Sequence, residues 1–245
     1  MTEHALPINA MIDGDADRVA AALRRLNHTL VQKQLPEELV NRFAAALELL
    51  ADDMESIEAP LRTRPFGTVE SGESDSGSAY DYGAENSLSY RPISGNCNAL
   101  AAPAKYFKGK DYLSAVVTFG PAFEGPPGLV HGGYIAAYMD EAFGIGIAHS
   151  GLSVPAMTGT LKTIYRLPVP LNRELVYQVR MTGEERRKVF MQCTVKDHDG
   201  TLYAEGEAIF LKIDPELYAK MGGYMRQNAA NTKQKKHRER CLFGS

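Results

Sequence analysis

The 245 residues contain no tryptophan, only three cysteines and a net formal charge of just −3. Cys97, Cys193 and Cys241 are odd in number and far apart, so they do not describe a disulfide framework; free thiols and a reducing compartment are expected. No pair of Cys or His residues has zinc-ligand spacing, and no metal site is expected. His4, His28, His149, His198 and His237 are scattered and read as surface or satisfied structural histidines. A charge this close to neutral gives no reason to expect nucleic acid as a partner. No apolar run reaches the length of a membrane span, and the N-terminus is polar rather than signal-like, so no membrane association and a cytoplasmic location are expected. There is no P-loop and no dinucleotide fingerprint, so no cofactor is implied. What is left is an ordinary globular composition, 44% apolar.

One stretch organises the chain. Gly125-Pro126-Pro127-Gly128 is a loop that cannot be helical, and it leads through Leu129-Val130-His131-Gly132-Gly133 into Tyr134–Ala148. That last segment reads as a helix apolar nearly all round, which means a helix in the core. A carboxylate inside such a helix is costly unless something pairs with it or uses it, so Asp140 is the residue to explain. The first-turn N–H groups of a helix are unsatisfied and its dipole favours negative charge there. His131-Gly132-Gly133 therefore has the chemistry of an oxyanion hole, with glycine allowing close approach to the backbone. Eight residues separate Gly132 from Asp140, roughly 12 Å of helix. A base and an oxyanion donor must each lie about 3 Å from the reacting atoms. If both act on one carbonyl, they come from different subunits related by a two-fold axis.

Around that stretch the chain divides into four parts. Residues 1–66 are expected to form a helical hairpin. Val19, Leu23, Leu26 and Leu30 recur at helical spacing, as do Leu39, Phe43, Leu47, Leu50, Met54 and Ile57 beyond Pro36, which suits a first helical position. Each helix has one apolar stripe, expected to pad the main domain or a dimer surface; a lid or a partner-docking element is the sharper reading. Residues 67–87, rich in Ser, Gly, Glu and Asp, read as a flexible linker. Residues 88–213 form the main domain. Its first strand is expected within Leu88–Asn98, the next within Asp111–Phe119. After the helix come Met157–Tyr165, a strand alternating Leu175, Tyr177, Val179 and Met181, another alternating Val189, Met191, Cys193 and Val195, and Leu202–Leu211. Thr158, Thr160 and Lys162 are expected on one face of their strand. Asp197-His198-Asp199-Gly200 reads as a hairpin turn, and Gly206 as a bend or bulge. Antiparallel hairpins around one buried helix make an α+β domain. Residues 214–245 read as a polar, basic tail.

His131-Gly132-Gly133, Asp140, Thr158 in Met157-Thr158-Gly159-Thr160-Leu161, and Tyr165-Arg166-Leu167-Pro168-Val169-Pro170-Leu171 together resemble the hotdog-fold acyl-CoA thioesterases of the PaaI-like, 4-hydroxybenzoyl-CoA thioesterase superfamily. The resemblance covers about the middle half of the chain. It implies a hotdog fold, a curved antiparallel sheet wrapped round one long central helix, and hydrolysis of an acyl-CoA thioester by a homodimer or a dimer of dimers. It carries the base or nucleophile to Asp140, the backbone oxyanion donor to Gly132 and the helper hydroxyl to Thr158. His131, Gly133, Lys162 and Arg166 are the substrate-binding candidates. One departure stands out: some members have Asn six residues before the motif His, and here that place is Gly125. The alternatives are a non-catalytic hotdog domain that binds acyl-CoA or another ligand, and a hydratase on the same fold. The latter wants an Asp/His pair, for which His149 is the only nearby candidate.

Overall fold

The structure, a computed structural model, describes residues 15–58, 89–218 and 220. The expected linker and nearly all of the expected tail lie outside the described residues. The described chain forms α1 (Asp15–Gln32), α2 (Glu37–Ser56), β1 (Ala104–Lys108), β2 (Leu113–Thr118), a 3-10 turn (Pro121–Phe123), α3 (Gly132–Ala148), β3 (Ala156–Tyr165), β4 (Glu174–Glu185), β5 (Lys188–Lys196) and β6 (Leu202–Lys212). The six strands make one antiparallel sheet in the order β1-β2-β4-β5-β6-β3. This is the architecture expected: an antiparallel sheet laid on a single long helix, α3, which touches β2, β3, β4, β5 and β6.

Period-two patterning decides which face of the sheet meets that helix. Leu113, Ala115 and Val117 of β2, Leu175, Tyr177 and Val179 of β4, and Val189, Met191, Cys193 and Val195 of β5 are all buried. From α3 they meet Ile135, Tyr138, Met139, Ala142, Phe143, Ile145 and Ile147. The sheet approaches α3 most closely at Gly206. A Cβ there would collide with the Met139 sulfur, so β6 passes this close under the helix, with Met139 where it is, because this position has no side chain. Gly206 is therefore a point of helix–sheet contact and not the expected bulge; its pairing with Thr163 and Cys193 is regular. Bulges occur elsewhere, between Thr158 and Thr160 in β3 and between Met181 and Gly183 in β4. The second follows Met181, the last residue of β4 in regular register, opposite the buried Met191. The Asp197 turn is as expected, with Gly200 at φ +86° and the Asp197 carboxylate accepting from Asp199 N–H, Thr201 N–H and the Tyr203 hydroxyl.

The expected strand in Leu88–Asn98 is not formed over its described part. Residues 90–101 run as successive turns, and the sheet starts only at Ala104. These turns are tied down by side chains instead of a ladder. Ser94 and Arg91 bond to Glu141 of α3 at 2.7 and 3.2 Å, and the Tyr138 hydroxyl donates to the Ala102 carbonyl. Gly95 is required here, since a Cβ would lie 2.4 Å from the Ser89 carbonyl oxygen.

The N-terminal region is helical as expected, but its packing differs from expectation. α1 docks on the main domain through Ala20, Arg24 and His28, not through its apolar stripe. Arg24 donates to the carbonyls of Asn96 and Asn98 at 2.7 and 2.9 Å, and His28 Nδ1 accepts from Ala122 N–H at 2.9 Å. Val19, Leu23, Leu26 and Leu30 point outward, and α2 has no buried residue. The two helices make almost no contact with each other.

Candidate active site

α3 runs unbroken from Gly132 to Ala148, so both halves of the expected machinery lie on one rigid element. His131 is its N-cap, in extended backbone conformation, and its Nδ1 accepts from Gly133 N–H at 3.0 Å. The imidazole thus consumes one orphan donor of the first turn. Gly132 N–H has no acceptor among the described residues and is left for a ligand. Gly132 is also crowded by an aromatic ring. The Tyr165 hydroxyl donates to its carbonyl at 2.9 Å, and a Cβ on Gly132 would stand 3.3 Å from the ring. The loop before it is equally tight: a Cβ on Gly125 would lie 2.8 Å from His131 Cα, so no side chain fits where some members carry Asn.

Two turns further along α3, Asp140 accepts a hydrogen bond from Thr158 Oγ1 at 2.9 Å. The bulge in β3 makes this possible. Thr158 pairs with Phe210, whose side chain is buried, whereas Thr160 pairs with Ile209 and Lys162 with Glu207 on the other face. The expectation that Thr158, Thr160 and Lys162 share a face is corrected accordingly: the extra residue at Gly159 turns Thr158 to the helix and leaves the other two on the outer surface. There Lys162 pairs with Glu207 at 3.1 Å and Arg166 with Glu205 at 2.6 Å. Of the seven candidate residues, the fold gathers Asp140 with Thr158, and His131 with Gly132 and Gly133. It sets Lys162 and Arg166 on the far side of the sheet.

Asp140 is half-buried, not enclosed as an all-apolar helix suggested. Its neighbour Glu141 is the more deeply set carboxylate, 12% exposed and held by Arg91 and Ser94. This is a structural carboxylate satisfied within the fold. His149 caps the other end of α3, with its Nδ1 against the Ile145 carbonyl. Nine residues of helix, roughly 13 Å, separate it from Asp140, so the two cannot act together within one chain. Tyr165 was not evident as a site residue in the sequence. Regular alternation over their odd spacing would put Tyr165 and Thr158 on opposite faces; the bulge at Gly159 brings both to the helix.

Residues 127–204, from the loop before α3 into β6, match the model of the family described as "Thioesterase superfamily". That match takes in α3 and the strands β3, β4 and β5. The chain is similar to acyl-coenzyme A thioesterase THEM4 of Bos taurus, 38% identical over 113 residues, 45% of this chain and 46% of that protein. It is similar to THEM4 of Xenopus laevis, 35% identical over 111 residues, 45% of this chain and 49% of that protein. The chain thus spans about half the length of the curated relatives it matches. Among solved structures, the thioesterase superfamily protein RHA08564 superposes with a TM-score of 0.71 at 24% identity, covering 84% of this chain and all of that one, which establishes a shared fold.

Proposed function

We propose that the chain hydrolyses acyl-CoA thioesters to free acid and CoA in a site shared between two copies. The observation that carries this is the Asp140–Thr158 pair on the same helix that begins with the unpaired Gly132 N–H. Thr158 occupies one carboxylate oxygen and leaves the other to accept a proton from water, which supports the general-base route over direct attack by the carboxylate. The water oxygen bonds to the thioester carbon, its proton passes to Asp140, and the carbonyl oxygen becomes an oxyanion held by Gly132 N–H of the second copy. Collapse of the tetrahedral intermediate breaks the C–S bond, and the CoA thiolate leaves with the proton. The relatives named for acyl-coenzyme A thioesterase activity support the substrate class.

Sharing between copies has a physical basis. β3 is an open sheet edge of ten residues and carries both Thr158 and Tyr165. Edge strands of this length are normally covered. A second copy adding antiparallel to β3 would run its α3 in the opposite direction, bringing its N-terminus toward Asp140. The rival reading is an acyl-CoA-binding domain without catalysis, favoured by Gly125 in place of the asparagine.

The test is thiol release from a panel of acyl-CoAs by wild type beside Asp140→Asn, with sedimentation of both. A loss of about 100- to 10,000-fold with unchanged association is expected, the range typical of a general base. Wild-type binding without release would instead establish the ligand-binding reading, and full activity in Asp140→Asn would remove Asp140 from the mechanism.

A further inference from the structure

The two N-terminal helices leave an apolar surface that their own chain does not cover. Val19, Leu23, Leu26 and Leu30 of α1 and Phe43, Leu47, Leu50 and Met54 of α2 are each between 42% and 64% exposed. Together with Val40 and Ile57 they leave on the order of 900 Å² of apolar surface over the two stripes, near the ~800 Å² each partner contributes to a stable interface. The surface is no accident of a loosely placed helix. α1 is anchored, and it is anchored by its polar side, through Arg24 and His28. Its stripe is thereby turned outward.

The two stripes fit one another. On α1 the spacings are four, three, four; on α2, from Phe43 to Met54, they are again four, three, four. Antiparallel alignment sets Leu26 against Leu47, Leu30 against Phe43, Leu23 against Leu50 and Val19 against Met54, and places Arg25 beside Glu48. The charges agree: α1 carries three arginines against two aspartates, α2 six carboxylates against one arginine. Yet within one chain these helices hardly touch. The connection between them explains why. Pro36 is extended, with φ −58° and ψ 146°, and a proline disfavours helical backbone at the residue before it, which favours an extended connection over a tight turn.

We infer that two copies of this chain exchange these helices, α1 of each packing antiparallel on α2 of the other in an isologous interface. The helical hairpin implicit in the sequence is then formed between chains. A lipid surface fits less well, because the polar side of α2 is strongly acidic and membrane-bound amphipathic helices favour Lys and Arg there. The inference rests on the fit of these helices and not on thioester chemistry.

Cysteine cross-linking of the full chain tests it. In a background with Cys97→Ser and Cys241→Ser, chains carrying Leu26→Cys are mixed with chains carrying Leu47→Cys under mild oxidation. A covalent dimer is expected in the mixture and not with either chain alone. The chain carrying both substitutions should also link between copies. Closure within one chain, or no linkage, overturns the exchange. A second variant, Leu47→Glu/Leu50→Glu, alters side chains with no buried contacts in the single chain. It should weaken self-association at least about tenfold while leaving the circular dichroism spectrum unchanged. Undiminished association of that variant would overturn the inference, as would flotation of the wild-type chain, but not the variant, with phosphatidylcholine/phosphatidylserine vesicles.

Discussion

α3 and the pair α1–α2 treat apolar residues in opposite ways. α3 has apolar side chains on almost every side and is covered by its own sheet; α1 and α2 each have one clean apolar stripe, and both stripes are bare. The usual expectation is that a striped helix lies on its own domain with the stripe inward. Here the striped helix that does lie on the domain, α1, is held by an arginine and a histidine. A stripe shows that a helix face is meant to be covered, and says nothing about whose atoms cover it.

The sharpest test of this contrast compares truncations on the two sides. Phe143 is fully buried in α3, and Phe143→Ala should cost about 3–5 kcal/mol in denaturant unfolding. Gly206→Ala probes the closest helix–sheet approach. The new Cβ must displace the flexible Met139 side chain, at about 1–3 kcal/mol, and thiol release should fall with it, because Met139 is adjacent to Asp140. On α1 the attachment should respond to pH. His28 Nδ1 accepts from Ala122 N–H and must be unprotonated; burial, and then the nearby Arg24, hold its pKa below the ordinary value. A lowered histidine pKa means that docking is complete above the free value of about 6.5 and weakens as pH falls below it. Protection factors of the α1 amides, each taken against the intrinsic exchange rate at its own pH, should accordingly fall between pH 7.5 and 5.5, and equal protection at both would remove His28 from the attachment. The smallest effect is expected at Leu50→Ala, within about 0.5 kcal/mol when the chain is dilute and single. A large cost there would show that α2 packs at home, and the contrast would fail.

Much of the main domain was legible in advance because its rules are local. Alternation in β2, β4 and β5 fixed which residues face inward, and the Gly-rich entry followed by an apolar run marked α3 and its carboxylate. What was not legible depended on contacts distant in the chain. Residues 90–101 have no ladder because Ser94 and Arg91 answer to Glu141, some 50 positions later. Gly206 looked like a bend, since nothing in its own strand announces Met139. The orientation of α1 turned on Arg24 and His28, whose acceptors and donors are backbone groups nearly 100 residues away at most. At the candidate site, Asp140, Gly132 and Thr158 could be named from spacing and resemblance. Tyr165 could not, because its role depends on which way one strand is turned.

That turn has a consequence in arithmetic. Thr158 and Tyr165 are seven residues apart, an odd number, and in a regular strand odd separations fall on opposite faces. Both nevertheless reach α3, one bonding to Asp140 and the other to the Gly132 carbonyl, because one extra residue at Gly159 makes the count even. Deleting that residue would leave the composition of β3 almost intact and reverse its parity. Either the hydroxyl beside the carboxylate or the ring beside the glycine would then turn away. The two ends of the candidate site are thus locked together by a single insertion, and lengthening or shortening this strand by one residue changes which end survives.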